Sequence, residues 1–352
     1  MSRKYIIFLG ILLAALLFSS CSKGDLKEDN LTSSDGEYIT MRIINSDRNI
    51  KDIPLNYKYE KFELDNVIDE NYEDALIVGE MGDMVSIQEG GYFRKENRFF
   101  NYIGNDERII VEKVVGVILN PPKAYITDAY YDMSMYLKDT NVLFILLDGF
   151  GYHQYKYAVD NGYLPFLGRQ DNTVKALSVY KPVTNAGLAA IMTGKLPIEN
   201  GVHSRDEREL KVDSIFKYAQ DLNRKTIYLE GNIGILKTEV EPVLHLDENG
   251  DGFTDDEVFE ATMDAIRKGY NFIFAHFHGI DDCGHTFGGL SKETMDFIKR
   301  IDGYLEEMSS NWNGKIIITA DHGTHTTDSG GDHGEFRFED MVVPYIILEG
   351  GK

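Results

Sequence analysis

The feature of this sequence that most constrains its fold is a series of continuous apolar runs that begins at residue 141. A continuous apolar run is typical of a strand that is buried on both faces of a parallel sheet. Segments with a helical spacing of apolar residues separate the runs, and strands that alternate with helices predict an α/β domain with a largely parallel central sheet. The predicted strands are NVLFILL (141–147), KTIYLE (225–230), NFIFAHF (271–277), KIIITA (315–320) and VVPYIIL (342–348), and the predicted helices cover 185–193, 255–268 and 292–309.

The N-terminus has the pattern of an export signal. Arg3 and Lys4 precede an apolar run over 5–18, and Cys21 follows two serines. A charged start, a short apolar run and small residues are typical of a secretory signal peptide, and the run is shorter than the roughly 20 residues of a membrane-spanning helix. The residues before Cys21 resemble the lipobox of bacterial lipoproteins. That resemblance implies cleavage before Cys21, lipid on its thiol and attachment to the outer face of a bacterial membrane, with an uncleaved membrane anchor as the alternative.

The chain is predicted to have four parts. Residues 1–20 form the signal peptide, and the polar residues 21–37 form a flexible tether. Residues 38–123 contain short alternating runs between acidic and Asn/Gly-rich turns, which predicts a small β-rich or mixed region. This region could shape a substrate entrance, extend the fold or bind a partner. The sequence NPPK at 120–123 separates it from the α/β domain predicted over 124–352.

The charge and the cysteine content limit the classes of partner. The formal net charge of -22 makes a nucleic-acid duplex an unsuitable partner, because phosphate contacts need a basic surface. An anionic substrate remains compatible with this charge if bound cations reverse the local field. Cysteine occurs only at 21 and 283, so lipidation of Cys21 would leave Cys283 without a disulfide partner in the chain.

Acidic residues and histidines follow the predicted strands. Because ligands of open α/β sheets bind beyond the carboxyl ends of the strands, these segments are the candidate site. Asp and neutral His are common ligands of zinc and similar metals. One Asp at a strand end is usually a turn or cap residue, but three of them with three histidines close behind predict a metal site. The segments are Asp148-Gly149-Phe150-Gly151, the stretch 278–285 with Asp281 and His285, Asp321-His322-Gly323 and Gly331-Asp332-His333-Gly334.

The stretch KPVTNAGLAAIMTG (181–194) places Thr184 and Asn185 at the start of a helix that is rich in small residues. Helix capping is one interpretation, since Thr and Asn are favourable N-cap residues. Catalysis is the other, because a helix N-terminus suits a phosphoryl oxygen and a Thr hydroxyl becomes a nucleophile once a metal or base removes its proton. The metal ligands predicted at the strand ends favour catalysis, and small side chains would let the helix start approach them.

Taken together, DGFG after a strand, Thr at the start of a helix that ends in TG, D-x-x-G-H, DHG and a later HG resemble the alkaline phosphatase superfamily over about residues 141–350. The closest branch is the type I phosphodiesterase/nucleotide pyrophosphatase family, including phosphonoacetate hydrolase-like enzymes. The resemblance implies a three-layer α/β/α sandwich and two divalent metal ions, zinc first and manganese or another divalent ion second. It implies that one ion is held by Asp281, His285 and His333 and the other by Asp148, Asp321, His322 and Thr184.

The same resemblance implies a metal-dependent phosphodiesterase or nucleotide pyrophosphatase-type hydrolase that acts on a small phosphorylated substrate. Thr184 would attack phosphorus and form a phosphothreonine intermediate. A phosphoethanolamine-type transferase, a phosphomonoesterase and a phosphonate hydrolase of the same superfamily are the alternative enzymes, whereas the Cys-x-Pro-x-Arg sequence of sulfatases is absent at the nucleophile. A surface-anchored binding or adhesion protein is the non-enzymatic alternative.

Further residues near these motifs have less direct assignments. Asn185 is predicted to donate to a phosphoryl oxygen through its backbone N–H and its side-chain amide, although several relatives carry an Asn at the position of Gly187 instead. Arg205 could contact substrate phosphate or lie on the surface. Three histidines are predicted to orient ligands or stabilise the fold rather than to bind metal, namely His276, His278 and His325.

The acidic stretch DENGDGFTDDE (247–257) resembles the opening of an EF-hand calcium loop. The twelfth position of such a loop needs a bidentate acid, and Val258 stands there. Thr254 and Glu257 have the spacing of a capping box for the helix that follows. We therefore predict an acidic turn and a helix cap rather than a Ca²⁺ site.

Overall fold

The computed structural model describes residues 39–54, 56 and 58–351. The predicted signal peptide (1–20), the tether (21–37) and the lipid attachment site at Cys21 lie outside the described residues. In the part of the chain that the structure describes, no helix is both long enough and apolar enough to span a membrane.

The N-terminal part of the described chain forms an eight-stranded sheet. Its strands are β1 (Ile39–Asn45), β2 (Asn49–Pro54), β3 (Lys61–Phe62), β4 (Ala75–Gly79), β5 (Met84–Ser86), β6 (Tyr92–Glu96), β7 (Phe99–Ile103) and β8 (Ile109–Leu119). The strand order is β2-β1-β8-β7-β6-β3, and β4 pairs with both β8 and β5. The pairings are antiparallel except that of β1 with β8. This sheet confirms the predicted β-rich N-terminal region.

Buried aromatic rings pack against this sheet. The ring centroid of Phe62 lies 5.2 Å from those of both Phe93 and Phe100. All three side chains are buried in one apolar cluster with aliphatic side chains from several of the strands. Large aromatic side chains contribute much of the apolar burial that stabilises a small sheet. The N-terminal region therefore has a hydrophobic core of its own.

Residues from 124 onward form a second eight-stranded sheet with helices packed against it. The strands of this part are β9 (Ala124–Tyr125), β10 (Val142–Leu147), β11 (Val174–Leu177), β12 (Thr226–Glu230), β13 (Val243–Leu244), β14 (Phe272–Phe277), β15 (Lys315–Thr319), β16 (His325–Thr327), β17 (Gly330–Asp332) and β18 (Val342–Glu349). The sheet order is β13-β12-β14-β10-β15-β18-β11-β9, and β16 and β17 form a separate hairpin. Neighbouring strands of the sheet are parallel except where β18 pairs with β15 and β11.

The helices pack in two groups, one in which α1, α3 and α5 contact each other and one in which α8 contacts α6 and α7. They are α1 (Asp128–Tyr136), α2 (Tyr152–Asp160), α3 (Thr184–Thr193), α4 (Pro197–Asn200), α5 (Ile215–Asp221), α6 (Asp255–Arg267), α7 (Gly279–Phe287), α8 (Lys292–Asn311) and α9 (Phe338–Met341). All five predicted strands and all three predicted helices are present, with ends within two residues of the prediction. The predicted α/β/α fold with a largely parallel central sheet is thereby confirmed.

The two sheets share a small apolar cluster. Phe336 is buried in it, and its ring lies directly over Gly116 of β8, where a Cβ atom would stand 2.0 Å from Cε1 of the ring. Arg42 of β1 adds an ion pair with Glu335 at 3.4 Å. The other buried members of the cluster are Ile44, Leu76, Val78, Ile118, Leu177 and Met341. The N-terminal sheet therefore packs against the segment that follows His333.

We expect this contact to be structural. Replacing Phe336 by alanine should lower the free energy of unfolding by about 3–5 kcal/mol, because it opens a cavity between the sheets. Phe99→Ala is the matched control, since that ring is 37% exposed in β7 and its removal should cost far less. Chemical denaturation measures both values. A chain truncated to start at 124 should fail to fold, and a stable truncated chain with an altered substrate range would instead indicate a lid.

The stretch 247–257 forms the predicted acidic turn but not the predicted capping box. The Asp247 carboxylate accepts hydrogen bonds from the backbone N–H groups of Gly250 and Gly252 at 2.6 and 2.9 Å. Thr254 is the N-cap residue of α6, but its side chain makes no capping hydrogen bond. Oε1 of Glu257 instead accepts from the backbone N–H of Glu248 at 2.9 Å, which diverts it from the helix start. The prediction of a capping box was wrong because the loop itself offers Glu257 a donor.

Candidate active site

Three adjacent strands bring the predicted site residues to one edge of the central sheet. Strand β10 lies between β14 and β15 and is parallel to both, so the carboxyl ends of the three strands share that edge. Asp148 follows β10, Asp321 and His322 follow β15 closely, and Asp281 lies in α7 after β14. His333 follows strand β17 of the short hairpin.

The structure brings together the three residues predicted to hold the first metal ion. Nε2 of His285 lies 3.2 Å from Oδ2 of Asp281, and Nε2 of His333 lies 3.8 Å from the same oxygen. Asp281 and His285 stand four residues apart in α7, so one face of the helix presents both side chains. This helix was not predicted from the sequence motifs, which show only the spacing of its two ligands.

The residues predicted to hold the second ion also converge. Nε2 of His322 is the centre of this group: it lies 3.4 Å from Oδ1 of Asp148 and 3.4 Å from Oδ2 of Asp321. Oγ1 of Thr184 lies 3.3 Å from the same nitrogen. A hydroxyl group at a helix start therefore touches a cluster of two carboxylates and one imidazole.

Backbone carbonyl groups orient the three histidines of the two groups in the same way. Nδ1–H of each ring can donate to a carbonyl oxygen, and this tautomer leaves Nε2 with the lone pair that a metal needs. In every case Nε2 is the nitrogen that faces the carboxylates. The Nδ1–oxygen pairs are His285 with Gly331 at 3.1 Å, His322 with Gly323 at 3.1 Å and His333 with Pro182 at 3.0 Å.

Two buried carboxylate oxygens in this site indicate a cation. Oδ1 of Asp148 and Oδ2 of Asp321 have no hydrogen-bond partner among the residues that the structure describes. A buried charged group without a partner is costly unless it is paired or binds a metal. In a tetrahedral zinc site with ligand bonds of about 2.0–2.1 Å, the donor atoms stand about 3.3–3.4 Å apart. The 3.3–3.4 Å separations around His322 Nε2 therefore fit a divalent metal.

The carboxylates of the site influence each other strongly. Burial raises the pKa of Asp321 well above its ordinary value, and the charges of Asp148 and Asp281 raise it further. Burial would raise the pKa of Asp148 as well, but the contacts of this carboxylate with His276 and His278 outweigh burial and hold this pKa well below the ordinary value. The three carboxylates therefore repel each other when no cation is bound, and divalent cations would compensate their negative charge.

Thr184 does not cap its helix. Val183 is the N-cap residue of α3, Thr184 is the first helical residue, and its hydroxyl contacts Nε2 of His322. The helix start lies close to the carboxylates because Gly187 has no side chain: a Cβ atom there would stand 2.6 Å from the carbonyl oxygen of Asp321 and 2.7 Å from its Cβ. The capping interpretation is therefore wrong, and small residues do permit the close approach.

A methyl group at Gly187 is expected to damage this site. Gly187→Ala should lower the free energy of unfolding by about 1–3 kcal/mol and reduce the bound metal, because α3 and the backbone of Asp321 must separate. Gly303→Ala is the matched control, since Gly303 is exposed in α8 with no atom near its Cβ position. That change should stabilise the protein by up to about 1 kcal/mol. Denaturation curves and metal analysis test both, and full stability with full metal content in Gly187→Ala would contradict the close contact.

Asn185 and Arg205 lie next to the cluster. The buried Asn185 side chain donates to the carbonyl of Glu207 at 2.8 Å, so part of its amide holds a loop in place. Its backbone N–H belongs to the first turn of α3, where N–H groups have no partner inside the helix. The exposed side chain of Arg205 donates through Nη2 to Nε2 of His333, the nitrogen on which a bound metal ion would replace this hydrogen bond. Arg205 therefore reaches the site rather than only the surface.

The histidines outside the two groups differ in position. His325 is buried and its Nδ1 lies 2.8 Å from Oδ1 of Asp340, which is a structural pairing. His276 and His278 instead face Asp148, and behind them lies Glu230, a buried acid at the end of β12 that the sequence motifs did not single out. The sequence did contain a signal for Glu230, because this acid is the last residue of the predicted strand 225–230, just as Asp148 comes directly after the predicted strand 141–147. The prediction that these rings orient ligands is compatible with their contacts.

Comparisons with known proteins agree with this arrangement at the level of the superfamily. Residues 248–350 match the model of the Metalloenzyme superfamily. The predicted resemblance is thereby confirmed there, while Asp148 and Thr184 lie outside the matched range.

Individual relatives cover only part of the chain. A 2,3-bisphosphoglycerate-independent phosphoglycerate mutase of Pyropia yezoensis is 35% identical over 100 residues, which is 26% of this chain and 18% of that protein. GPI ethanolamine phosphate transferase 1 of Chaetomium globosum is 30% identical over 95 residues, 25% of this chain and 10% of that protein. The structure of phosphonoacetate hydrolase from Sinorhizobium meliloti 1021 is similar with a TM-score of 0.44 and 20% identity, covering 55% of this chain and 59% of that one. The chain thus spans less than a fifth of the length of these two curated relatives.

Proposed function

We propose that this protein is a metal-dependent phosphoryl-transfer enzyme, a phosphodiesterase or nucleotide pyrophosphatase-type hydrolase that uses Thr184 as its nucleophile. One observation carries the proposal: the Thr184 hydroxyl lies 3.3 Å from His322 Nε2, which itself faces one oxygen of Asp148 and one of Asp321. Both oxygens are buried without a hydrogen-bond partner among the described residues. A hydroxyl at such a cluster is suited to deprotonation and attack on phosphorus.

The chain offers two sets of donors for metal ions. Asp281, His285 and His333 would hold one divalent ion, and the other would be held by Asp148, Asp321, His322 and Thr184. Zinc fits the mixture of imidazole and carboxylate donors, and manganese is the second choice. When bound, two divalent ions neutralise phosphate charge and lower the pKa of hydroxyl groups.

The protein groups around Thr184 would position the substrate. The first backbone N–H groups of α3, including that of Asn185, point towards the helix start and can donate to a phosphoryl oxygen. Arg205 is close enough to the cluster, through its contact with His333, to pair with a substrate phosphate. In-line attack by Thr184 would then form a bond from its oxygen to phosphorus and expel one alcohol or phosphate of the substrate, which leaves the retained phosphate ester on the threonine. Attack by water on the same phosphorus would release that phosphate ester and regenerate the hydroxyl.

The leaving group and the cellular location are proposed from the sequence. A diester or pyrophosphate bond is favoured by the resemblance to type I phosphodiesterases alone. Export and lipid attachment to the outer face of a bacterial membrane rest on the sequence around Cys21, so the substrate would be a small phosphorylated molecule of the cell envelope or the surrounding medium.

A substrate panel tests the proposal. Zinc-loaded and manganese-loaded protein should hydrolyse a nitrophenyl phosphodiester or a nucleoside triphosphate faster than nitrophenyl phosphate or phosphonoacetate. Preference for the monoester or the phosphonate would select the corresponding alternative hydrolase. Slow hydrolysis with rapid phosphoryl transfer to added alcohols would select the transferase. Absence of turnover on the whole panel with both metals would contradict the proposal and favour a binding protein.

A further inference from the structure

His276 and His278 form a second cluster on Asp148. Nε2 of His276 lies 3.4 Å from Oδ2 of Asp148, and Nδ1 of His278 lies 3.2 Å from the same oxygen. The other oxygen of Asp148, Oδ1, faces His322. The two oxygens of one carboxylate therefore serve two different groups of imidazoles.

Glu230 determines which nitrogen of each of these two rings carries the proton. Its Oε2 lies 3.0 Å from Nδ1 of His276 and 2.8 Å from Nε2 of His278, the nitrogens that do not face Asp148. Its Oε1 accepts a hydrogen bond from the buried hydroxyl of Tyr228, which holds the carboxylate in place. Protons on the two nitrogens next to Glu230 leave lone pairs on the two that face Asp148. A carboxylate behind a ligating imidazole is a frequent arrangement in metal sites.

The geometry and burial of the cluster fit a cation. Oδ2 of Asp148 lies 3.2 Å from the facing nitrogen of His278 and 3.4 Å from that of His276. These distances are close to the separation of about 3.3–3.4 Å between donor atoms in a tetrahedral site with ligand bonds of about 2.0–2.1 Å. The three donor atoms lie within 4.8 Å of one another. His276 is 0% exposed, and neither of its ring nitrogens makes an aligned hydrogen bond with a described residue. An imidazole buried in this way is poorly satisfied without a further partner.

Two protonated rings are the competing arrangement. Such rings would form ion pairs with Asp148 and Glu230, whose oxygens lie 2.8 to 3.4 Å from the ring nitrogens. The ring centroids of His276 and His278 are only 3.8 Å apart, however, and two imidazolium charges at this distance repel each other. One cation held between two neutral rings avoids that repulsion.

We propose that Asp148, His276 and His278 form a third divalent-cation site, supported by Glu230. Two imidazoles and one carboxylate select zinc, or a similar transition metal, over magnesium and calcium, which prefer oxygen donors. The site shares Asp148 with the proposed two-metal centre but uses its other oxygen. Through this carboxylate, the third cation would hold Asp148 in position and withdraw charge from it.

Metal stoichiometry tests the third site. The full chain, stripped with a chelator and dialysed against zinc, should bind three ions per chain by elemental analysis. His278→Gln should bind two, and it is the preferred variant because this ring is partly exposed whereas that of His276 is fully buried. His325→Gln is the matched control, since His325 is a buried histidine that pairs with Asp340, and it should bind three.

Anomalous diffraction at the zinc edge of the unaltered protein gives an answer that does not depend on a variant's folding. A peak between Asp148, His276 and His278 supports the third site. Two peaks alone, one at His285 and one at His322, would overturn it and leave the proposed function intact. A peak at the third site alone would support it and overturn the two-metal centre. Three ions in both the unaltered protein and His278→Gln would also overturn the assignment to these residues.

Discussion

Replacement of Thr184 by alanine is expected to lower kcat for the best substrate of the panel by at least about 10³-fold. The Thr184 hydroxyl lies 3.3 Å from His322 Nε2, and its removal leaves the surrounding imidazoles and carboxylates in place. Loss of a nucleophile in hydrolases of this general kind costs several orders of magnitude in kcat. Initial rates at saturating substrate measure the loss.

The conservative variant separates chemistry from structure. Thr184→Ser keeps the hydroxyl and should retain substantial turnover, whereas Thr184→Ala should keep the melting temperature of the unaltered protein but form no phosphorylated enzyme. Acid quenching followed by mass spectrometry should detect the retained phosphate ester of the substrate on the peptide with Thr184. Turnover of Thr184→Ala within tenfold of the unaltered enzyme would refute the nucleophile assignment.

Removal of divalent metal is expected to abolish turnover and to destabilise the fold. Asp148, Asp281 and Asp321 then face each other in a buried cluster without a compensating cation, as the raised pKa of Asp321 indicates. One ion at a free concentration about a thousand times its Kd adds about 4 kcal/mol, which corresponds to a rise in Tm on the order of 10 °C. Thermal melts with chelator and with zinc measure this difference.

Asp321→Asn should leave the metal-free protein at least as stable as the unaltered one while it weakens the stabilisation by zinc. The substitution replaces a carboxyl group whose ionised form the cluster disfavours, so in chelator we expect a Tm at least as high as that of the unaltered protein. Zinc should then raise Tm less, and turnover should be lost with the ligand. Asp302→Asn is the matched control, because Asp302 is a buried carboxylate that accepts from the backbone N–H groups of Phe166 and Leu167 away from the cluster. An unchanged zinc response in Asp321→Asn would contradict its role as a ligand.

Much of the fold was predictable because the signals are local. A strand such as 271–277 is apolar throughout, and a helix such as 292–309 repeats apolar residues at helical spacing, so a short window suffices. Helix α7 was missed because Gly279 and Gly284 weaken the helical signal in the sequence. The helix carries the candidate ligands Asp281 and His285 at the edge of the sheet. The capping box was missed for the opposite reason: the local spacing was correct, but Glu257 bonds to a loop residue instead.

The candidate ligands could be predicted as a set but not as a geometry. Asp148, Asp281 and Asp321 were expected to converge because parallel strands end at one edge. Which nitrogen of each histidine faces them depends on carbonyls distant in the chain, such as that of Pro182 for His333, 151 residues away. For the same reason His276 and His278 could not be placed on Asp148, because Glu230 on another strand holds their far nitrogens.

The sequence by itself thus determined five strands of the central sheet, three of the helices and the list of candidate ligands that follow the strands, since hydrophobic period and residue type are properties of short segments. Only the tertiary structure decided that Thr184 meets His322 instead of capping its helix, that Gly187 admits this contact, and that the N-terminal sheet packs on Phe336. These are contacts between segments far apart in the chain. They depend on how closely two backbones can approach, which no local pattern encodes.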